Sequence, residues 1–264
     1  MGLSLLAGPA NAGKVAHLLD RYVARLDDEP ILIVPNASDV DRVERDLLAR
    51  CGCLFSGEIE TFDRLFARIV RDDPAGCRVV GEAERALIVR RLLRTAPLNG
   101  LARSAATGGF ADTLLQTLGE LEQGLVDPSD LEDDLAALYL LYRSELDRLG
   151  LWDRDLLHRR AAERVAKELD AWHGEPVFAY GFEDLTGAQW LLLQALAGRT
   201  DVEVSLPYEP GRIAFASLQR TADDLSALAS GNVRELPPRS DEYQHPALAH
   251  LERSLFDESP PPPP

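Results

Sequence analysis

The fold class is decided by residues 3–14, which read Leu-Ser-Leu-Leu-Ala-Gly-Pro-Ala-Asn-Ala-Gly-Lys. The apolar run at residues 3–7 predicts a short strand, and the small residues at 8–13 predict a tight loop. Apolar side chains then recur every three or four residues over positions 15–26, which predicts a helix. A strand, a loop of the form G-x-x-x-x-G-K and a helix together are the context of a phosphate-binding loop.

This loop offers four candidate nucleotide contacts: Gly8, Asn11, Gly13 and Lys14. The glycines allow backbone N–H groups to converge on phosphate oxygens at the helix N-terminus, and the lysine reaches the outer phosphates. A magnesium-binding loop has Ser or Thr directly after the lysine, whereas this chain has Val15. We therefore expect weak ATP binding with little dependence on Mg²⁺. The alternative is a turn that needs glycine only for tightness.

The identity of residue 14 favours a ligand-binding loop. Of the 28 basic residues, 26 are Arg and only two, Lys14 and Lys167, are Lys. A chain that uses arginine almost everywhere else has kept a lysine at the one position where a phosphate-binding loop requires it. Lysine is a compact point charge, which suits a ring of backbone N–H groups better than a planar guanidinium does.

Further strands and helices alternate along the chain. Strands are predicted at 31–34 and 57–60, with a helix from an N-cap at Ser38 to about residue 50 and another over 62–70. The sheet resumes with strands at 177–181, 202–206 and 233–236, and with helices at 187–197, 222–229 and 246–256. This alternation predicts an α/β fold built on a parallel sheet with helical crossovers.

The interval between these strands has only helical patterns. We predict an all-helical insertion over residues 82–172, without strands, inside an α/β domain of residues 1–81 and 173–236. Residues 237–264 are predicted to form a terminal helix and a proline-rich linker, because the chain ends in five prolines. We expect the natural polypeptide to continue beyond this run.

An ATP-hydrolysing motor also needs a carboxylate at the end of a second apolar strand, where it holds Mg²⁺ and polarises water. The strand predicted at 177–181 ends instead in Tyr180 and Gly181. Glu183 and Asp184 follow about two residues too late, in what we interpret as a solvated turn that caps the next helix. With Val15, this is a second departure from an active motor, so we expect no hydrolysis and assign no catalytic residue.

Thr61 and Phe62 open the helix that follows the third strand. Thr61 is a suitable N-cap, and an aromatic ring at the carboxyl edge of a sheet can stack on a base of single-stranded DNA. Phe62 can equally be a core residue, and the sequence leaves both interpretations open.

Composition excludes several classes of protein. A formal net charge of -16 at pH 7 is opposite to the basic footprint of a freestanding DNA binder. If the protein acts on nucleic acid, a partner or a missing portion must supply most of the phosphate contacts. There is no apolar run of about 18 residues and no secretory signal, so we expect a cytoplasmic protein with no membrane partner. Cys51, Cys53 and Cys77 suit reduced thiols, and neither they nor the five histidines have metal-ligand spacing.

Three stretches in this order resemble the amino-terminal region of AddB-type subunits of bacterial helicase–nuclease complexes, relatives of UvrD-like superfamily 1 helicases. They are GPANAGK with the following PILIVPN, then IETFDRLFARIV, and then VFAYGFEDLTGAQWLLLQAL with VEVSLPYEPGR. The resemblance covers about residues 1–215. It implies a RecA-like P-loop domain, the first motor subdomain of a helicase, with a large helical insertion. Members of the family continue into a second motor-like domain and a PD-(D/E)XK nuclease.

The resemblance also implies a function in double-strand break processing and recombinational DNA repair. The partners it implies are single-stranded or unwinding DNA and a motor or nuclease subunit. Gly8, Gly13 and Lys14 then carry over as phosphate contacts, and Thr61 and Phe62 as DNA contacts. Two other classes remain open: an active P-loop ATPase or small-molecule kinase using Glu183 or Asp184, and a protein-interaction module without nucleic acid.

Overall fold

The computed structural model describes residues 2–73, 76, 78–239 and 245–256. Cys77 and the proline run, both part of the sequence predictions, lie outside these residues. The strands are β1 (Gly2–Gly8), β2 (Ile31–Val34), β3 (Glu58–Thr61), β4 (Arg78–Val79), β5 (Leu151–Trp152), β6 (Val177–Ala179), β7 (Asp201–Pro207) and β8 (Val233–Glu235). The helices are α1 (Lys14–Val23), α2 (Ala37–Cys51), α3 (Phe62–Ile69), α4 (Glu82–Leu93), α5 (Ala102–Ala105), α6 (Phe110–Gln123), α7 (Asp133–Leu149), α8 (Arg154–Lys167), α9 (Gly187–Ala197), α10 (Gln219–Leu228) and α11 (Pro246–Ser254).

Six of the described strands form one sheet in the order β3-β2-β6-β7-β1-β8. Every neighbouring pair is parallel, and the longest register pairs Gly2–Gly8 of β1 with Asp201–Pro207 of β7. A parallel sheet needs a crossover between successive strands, and helices supply these crossovers here. The predicted α/β fold with a parallel sheet and helical crossovers is confirmed.

The described chain divides into two compact units. The sheet unit contains residues 1–64, 172–185 and 193–264, and the helical unit contains residues 65–171 and 186–192. The helical unit thus begins at residue 65 rather than at the predicted 82, and it also takes in the start of α9.

The sheet unit has its core between the sheet and helices α1 and α2. All four residues of β2 are completely buried, as expected for a strand covered on both faces. Tyr22 of α1 packs edge-on against Phe178 of β6, with 5.8 Å between ring centroids, and its hydroxyl donates to the carbonyl of Glu58. These contacts hold α1, and with it the loop before it, in a fixed position on the sheet.

The helical unit corrects one prediction. Leu151–Trp152 forms a two-residue parallel pair with Arg78–Val79, so strands do not disappear between residues 82 and 172. The pair is too short to give a period-two pattern, and hydrogen bonding across about 70 intervening residues is invisible to local periodicity.

The helix boundaries differ from prediction mainly at their ends. The N-cap of α2 is Asn36 and not Ser38: the Asn36 side chain accepts from the Asp39 amide at 3.0 Å. Helix α1 ends at Val23 because the chain continues as a 3-10 turn over Leu26–Asp28. In the part of the chain that the structure describes, no helix is both long and apolar enough to cross a membrane.

Candidate phosphate-binding loop

The loop between β1 and α1 has the backbone geometry of a tight anion-binding turn. Gly13 is the N-cap of α1 and has φ 86°, and Asn11 also lies in the left-handed region with φ 59°. Gly8 is required for space, because a Cβ there would lie 2.9 Å from the carbonyl oxygen of Leu236. Glycine is therefore favoured at both ends of the loop, by the lack of space at Gly8 and by the left-handed backbone at Gly13.

Lys14 closes the loop on itself. Its Nζ donates to the carbonyl oxygens of Gly8, at 2.7 Å, and Pro9, at 2.5 Å. The side chain is half-buried, and this burial lowers the pKa of Lys14 to about 8. The ammonium therefore sits inside the loop, at the place where a phosphate ligand would be held.

The mouth of the loop is open. A cleft of about 380 Å³ is lined by Asn11, Gly13, Lys14, Val15 and Ala16. The first amides of α1 have no acceptor within the helix, and no side chain of the described residues caps its N-terminus. N–H groups at the positive end of the helix dipole, beside an ammonium, are the donors that a phosphate group needs.

Two arginines that sequence reasoning missed lie near this loop. Arg239 Nη1 would be 3.7 Å from a Cβ built on Gly13, which places its guanidinium beside the N-cap of α1. Arg234 of β8 lies 2.8 Å from Nε2 of His17, and burial together with the charges of Arg234 and Arg21 lowers the pKa of His17. The pairing of β8 with β1 brings both arginines here, and local sequence patterns give no signal for that pairing.

The structure fits a phosphate better than it fits a metal ion. Val15 presents an exposed apolar side chain where a hydroxyl ligand would stand. Two strands along the sheet, β6 is followed directly by Tyr180, which is buried in the core and accepts a hydrogen bond from Arg42 Nη2 at 3.1 Å. Among the described residues, no group of three or more His, Cys, Asp or Glu side chains could hold a metal.

The two acids after β6 do not replace the missing carboxylate. Gly181 has φ 82° and turns the chain so closely over Pro35 that a Cβ would lie 2.8 Å from Pro35 Cγ. Glu183 and Asp184 follow this turn, and neither is buried. The predicted solvated turn is present, but α9 is capped by Thr186, which exchanges hydrogen bonds with Gln189.

Thr61 and Phe62 lie at the carboxyl end of β3, on the same sheet edge as the loop but four strands away, or about 19 Å at the usual strand spacing. Thr61 caps α3 by accepting from the Arg64 amide at 3.4 Å. Phe62 is only 3% exposed and packs against Phe182, with 4.8 Å between ring centroids. A base could stack on Phe62 only after Phe182 moved. The residues predicted to contact phosphate and the residues predicted to contact DNA therefore lie at two separate places along this sheet edge.

Comparison with known proteins agrees with the resemblance. The chain is 28% identical over 99% of its length to a protein of Pelotomaculum thermopropionicum. It is 27% identical over 97% of its length to one of Desulforudis audaxviator, and 26% identical over 80% to one of Desulfitobacterium hafniense. Each relative is named as the B-type subunit of an ATP-dependent helicase/deoxyribonuclease. The chain spans about a quarter of the length of the first two, 26% and 25%.

The family model described as "ADDB, N-terminal" matches residues 5–252, which include the loop, the sheet, the helical unit and most of α11. A match over nearly the whole chain, on a parallel α/β sheet with the phosphate-binding loop at its first strand, makes this chain a member of the AddB amino-terminal family.

Proposed function

We propose that this chain is the helicase-like amino-terminal part of a helicase–deoxyribonuclease subunit, and that it binds phosphate or nucleotide without hydrolysing it. In this proposal it acts in double-strand break processing and recombinational repair, together with single-stranded or unwinding DNA and a motor or nuclease partner. The names of the relatives support the protein class. The geometry of the loop supports phosphate binding, and the tyrosine that follows β6 supports the lack of hydrolysis.

The observation that carries the proposal is an intact loop without metal ligands. One ligand position, directly after the loop lysine, holds a valine, and the other, directly after β6, holds a tyrosine. Lys14 and the first amides of α1 face the mouth of the loop, and we assign Arg239 as a second cation beside them. Val15 and Tyr180 stand where Mg²⁺ ligands are needed for phosphoryl transfer. An active ATPase or kinase would have to use Glu183 or Asp184 instead, and the turn at Gly181 separates both from the end of the strand.

Nucleotide binding is tested by thermal stability. A ligand that binds only the folded chain raises the melting temperature in proportion to the logarithm of its concentration over Kd. Millimolar ADP or ATP should raise the melting temperature of the wild-type chain equally with Mg²⁺ and with EDTA. Lys14→Ala should abolish the shift and Arg239→Ala should reduce it. The matched controls are Lys167→Ala, the other lysine, and Arg220→Ala, an exposed arginine on α10, and both should keep the full shift.

Hydrolysis is tested separately on the same variants. We expect no ATP turnover by the wild-type chain above the level of Lys14→Ala in Mg²⁺. A rate above about 1 s⁻¹ that disappears in Lys14→Ala would contradict the proposal and favour an active enzyme. An unchanged melting temperature at millimolar nucleotide would mean that the loop is only a turn.

A further inference from the structure

The helical unit contains a cleft of about 690 Å³ between α4 and α6, bordered by the first residues of α8. We refer to it as the α4–α6 cleft. Its apolar strip consists of Ala83 and Ala86 on α4 and Leu115 and Gly119 on α6, and polar or charged side chains form the rest of the lining. Leu87, one turn beyond Ala83, is 66% exposed and extends this apolar surface along α4.

Gly119 shows that close approach at the base of the cleft is structurally required. A glycine inside a helix is less stable than an alanine, so its presence on α6 needs a structural reason. A Cβ at this position would lie 3.1 Å from Asp155 Oδ2 and 3.9 Å from Arg85 Nη2. The absence of a side chain at residue 119 therefore leaves room beside the buried side chains of Asp155 and Arg85.

Arg85 is a buried polar residue of that interior whose donors are only partly satisfied. It is 6% exposed, and its Nε donates to the Tyr142 hydroxyl at 3.2 Å. Its Nη2 lies 3.7 Å from Asp155 Oδ2 and has no hydrogen-bond acceptor among the described residues. A buried donor without an acceptor is unfavourable, and the nearby carboxylate of Asp155 is the group that offsets this charge.

The rim of the cleft is acidic. Glu82, Asp112 and Glu120 are all exposed. Together with Asp155, they give the described lining residues four carboxylates and only two guanidinium groups, those of Arg85 and Arg154. Glu82 lies 3.3 Å from the buried Arg85, and Asp112 lies 3.8 Å from Arg90 in an exposed pair of the kind that is weak. An apolar strip with an anionic rim is complementary to an amphipathic segment that carries positive charge on its flanks.

We propose that the α4–α6 cleft binds an amphipathic basic segment of a partner protein, with apolar side chains over Ala83, Leu87 and Leu115 and cationic side chains against Glu82, Asp112 and Glu120. Nucleic acid does not fit, because its phosphates would face these three carboxylates. The inference rests on the partner named in the proposed function and is independent of the phosphate-binding loop.

The probe is a helical peptide of about 14 residues, or two heptads, built from Leu on one face and Lys on the other. Its acidic counterpart carries Glu in place of each Lys. Binding of the fluorescently labelled peptide to the whole chain is measured by anisotropy. The cleft variant Glu82→Gln/Asp112→Asn/Glu120→Gln should weaken binding of the basic peptide about tenfold, or 1.4 kcal/mol. The control variant Asp41→Asn/Glu44→Gln/Asp170→Asn makes the same charge change on exposed residues elsewhere and should leave binding within about twofold. The acidic peptide should not bind.

Three results would overturn the inference. These are no binding of the basic peptide, equal weakening by the cleft and control variants, and displacement of the peptide by a single-stranded oligonucleotide. Self-association of the chain that the cleft variant abolishes would assign the cleft to a second copy instead. Lys14→Ala should bind the peptide normally, so a failure of nucleotide binding and a failure of this inference are distinguishable.

Discussion

In the proposed function, Lys14 combines two functions in one side chain. Its ammonium satisfies the carbonyls of Gly8 and Pro9 in the loop, and the same charge is the main attraction for a phosphate group. A phosphate must therefore compete with the loop for these protons, which accounts physically for the weak binding that we expect. A guanidinium is too broad and planar to fit between two carbonyls of one turn, which explains why lysine persists in an arginine-rich chain.

The lowered pKa of Lys14 predicts a pH dependence of binding. Burial lowers this pKa to about 8, and only the protonated amine carries the charge that attracts phosphate. Nucleotide affinity should therefore fall as the pH rises from about 7 to about 9.5. The midpoint should lie above 8, because bound phosphate favours the ammonium. Calorimetric titration across this range measures the effect. Lys167→Ala keeps Lys14 and is the control, which should show the same fall in affinity, and a wild-type affinity that stays constant across this range would contradict the prediction.

Gly8→Ala should destabilise the fold. The new Cβ would meet the Leu236 carbonyl oxygen at 2.9 Å and Ala12 Cβ at 3.2 Å, so β8 or the loop must shift, at a cost of about 1–3 kcal/mol. Urea denaturation of the whole chain measures the change. Gly108→Ala is the control, because a Cβ at Gly108 meets nothing within 4 Å among the described residues. Equal stability of the two variants would show that the loop adapts without strain.

At the scale of single elements, the ends of helices and strands carry most of the functional geometry. The N-terminus of α1 supplies the donors of the proposed phosphate site, Tyr180 directly follows β6 in place of a metal ligand, and the addition of β8 beside β1 brings Arg234 and Arg239 to the loop. Periodicity predicts the interiors of these elements well because the burial of one face repeats along them. Their ends depend on single hydrogen bonds, which no periodic pattern records.

The N-cap of α2 provides a test of whether a single hydrogen bond fixes the end of a helix. Asn36→Ala removes the side-chain oxygen that accepts from the Asp39 amide, and the loss of such a cap costs about 1 kcal/mol. Ser38→Ala should change the free energy of unfolding by less than about 0.5 kcal/mol, because Ser38 is an exposed residue inside the first turn. Thermal or urea denaturation of both variants measures the difference. A larger loss in Ser38→Ala would restore the sequence-based choice of cap.

At the scale of the whole molecule, charge limits what the chain can bind alone. Besides the net charge of -16, many arginines are already paired with carboxylates. Arg143 contacts Glu122, Arg148 contacts Glu145, and Arg253 contacts Glu209. Each of these guanidinium groups must give up part of its contact with a carboxylate before it can bind a DNA phosphate.

We therefore predict poor binding of single-stranded DNA by the isolated chain at physiological salt. Self-repulsion between two polyanions opposes approach, and the pairing of arginines with carboxylates reduces the number of phosphate contacts, which gives a shallow dependence of affinity on salt. Fluorescence anisotropy with a labelled oligonucleotide measures both quantities. Submicromolar affinity with a steep salt dependence would contradict the prediction, and would mean that the basic residues are gathered on one face.

The sequence by itself determined the class of the fold, the position of the glycine-rich loop between β1 and α1, and the family. Each of these depends on contiguous residues: an apolar run, a glycine spacing, or the order of short motifs. The loop from Gly8 to Lys14 is recognisable because its backbone conformation is set locally by glycine and by the helix that follows.

Only the tertiary structure decided which side chains surround that loop and which candidates lie apart from it. Arg239 reaches Gly13 through a parallel strand pairing that joins residues more than 200 positions apart. Phe62 is covered by Phe182, a residue 120 positions later, and no pattern in the sequence predicts this contact. The burial of one face sets the spacing of apolar residues within an element, but that spacing does not say which distant element covers the face, because hydrophobic burial is not directional.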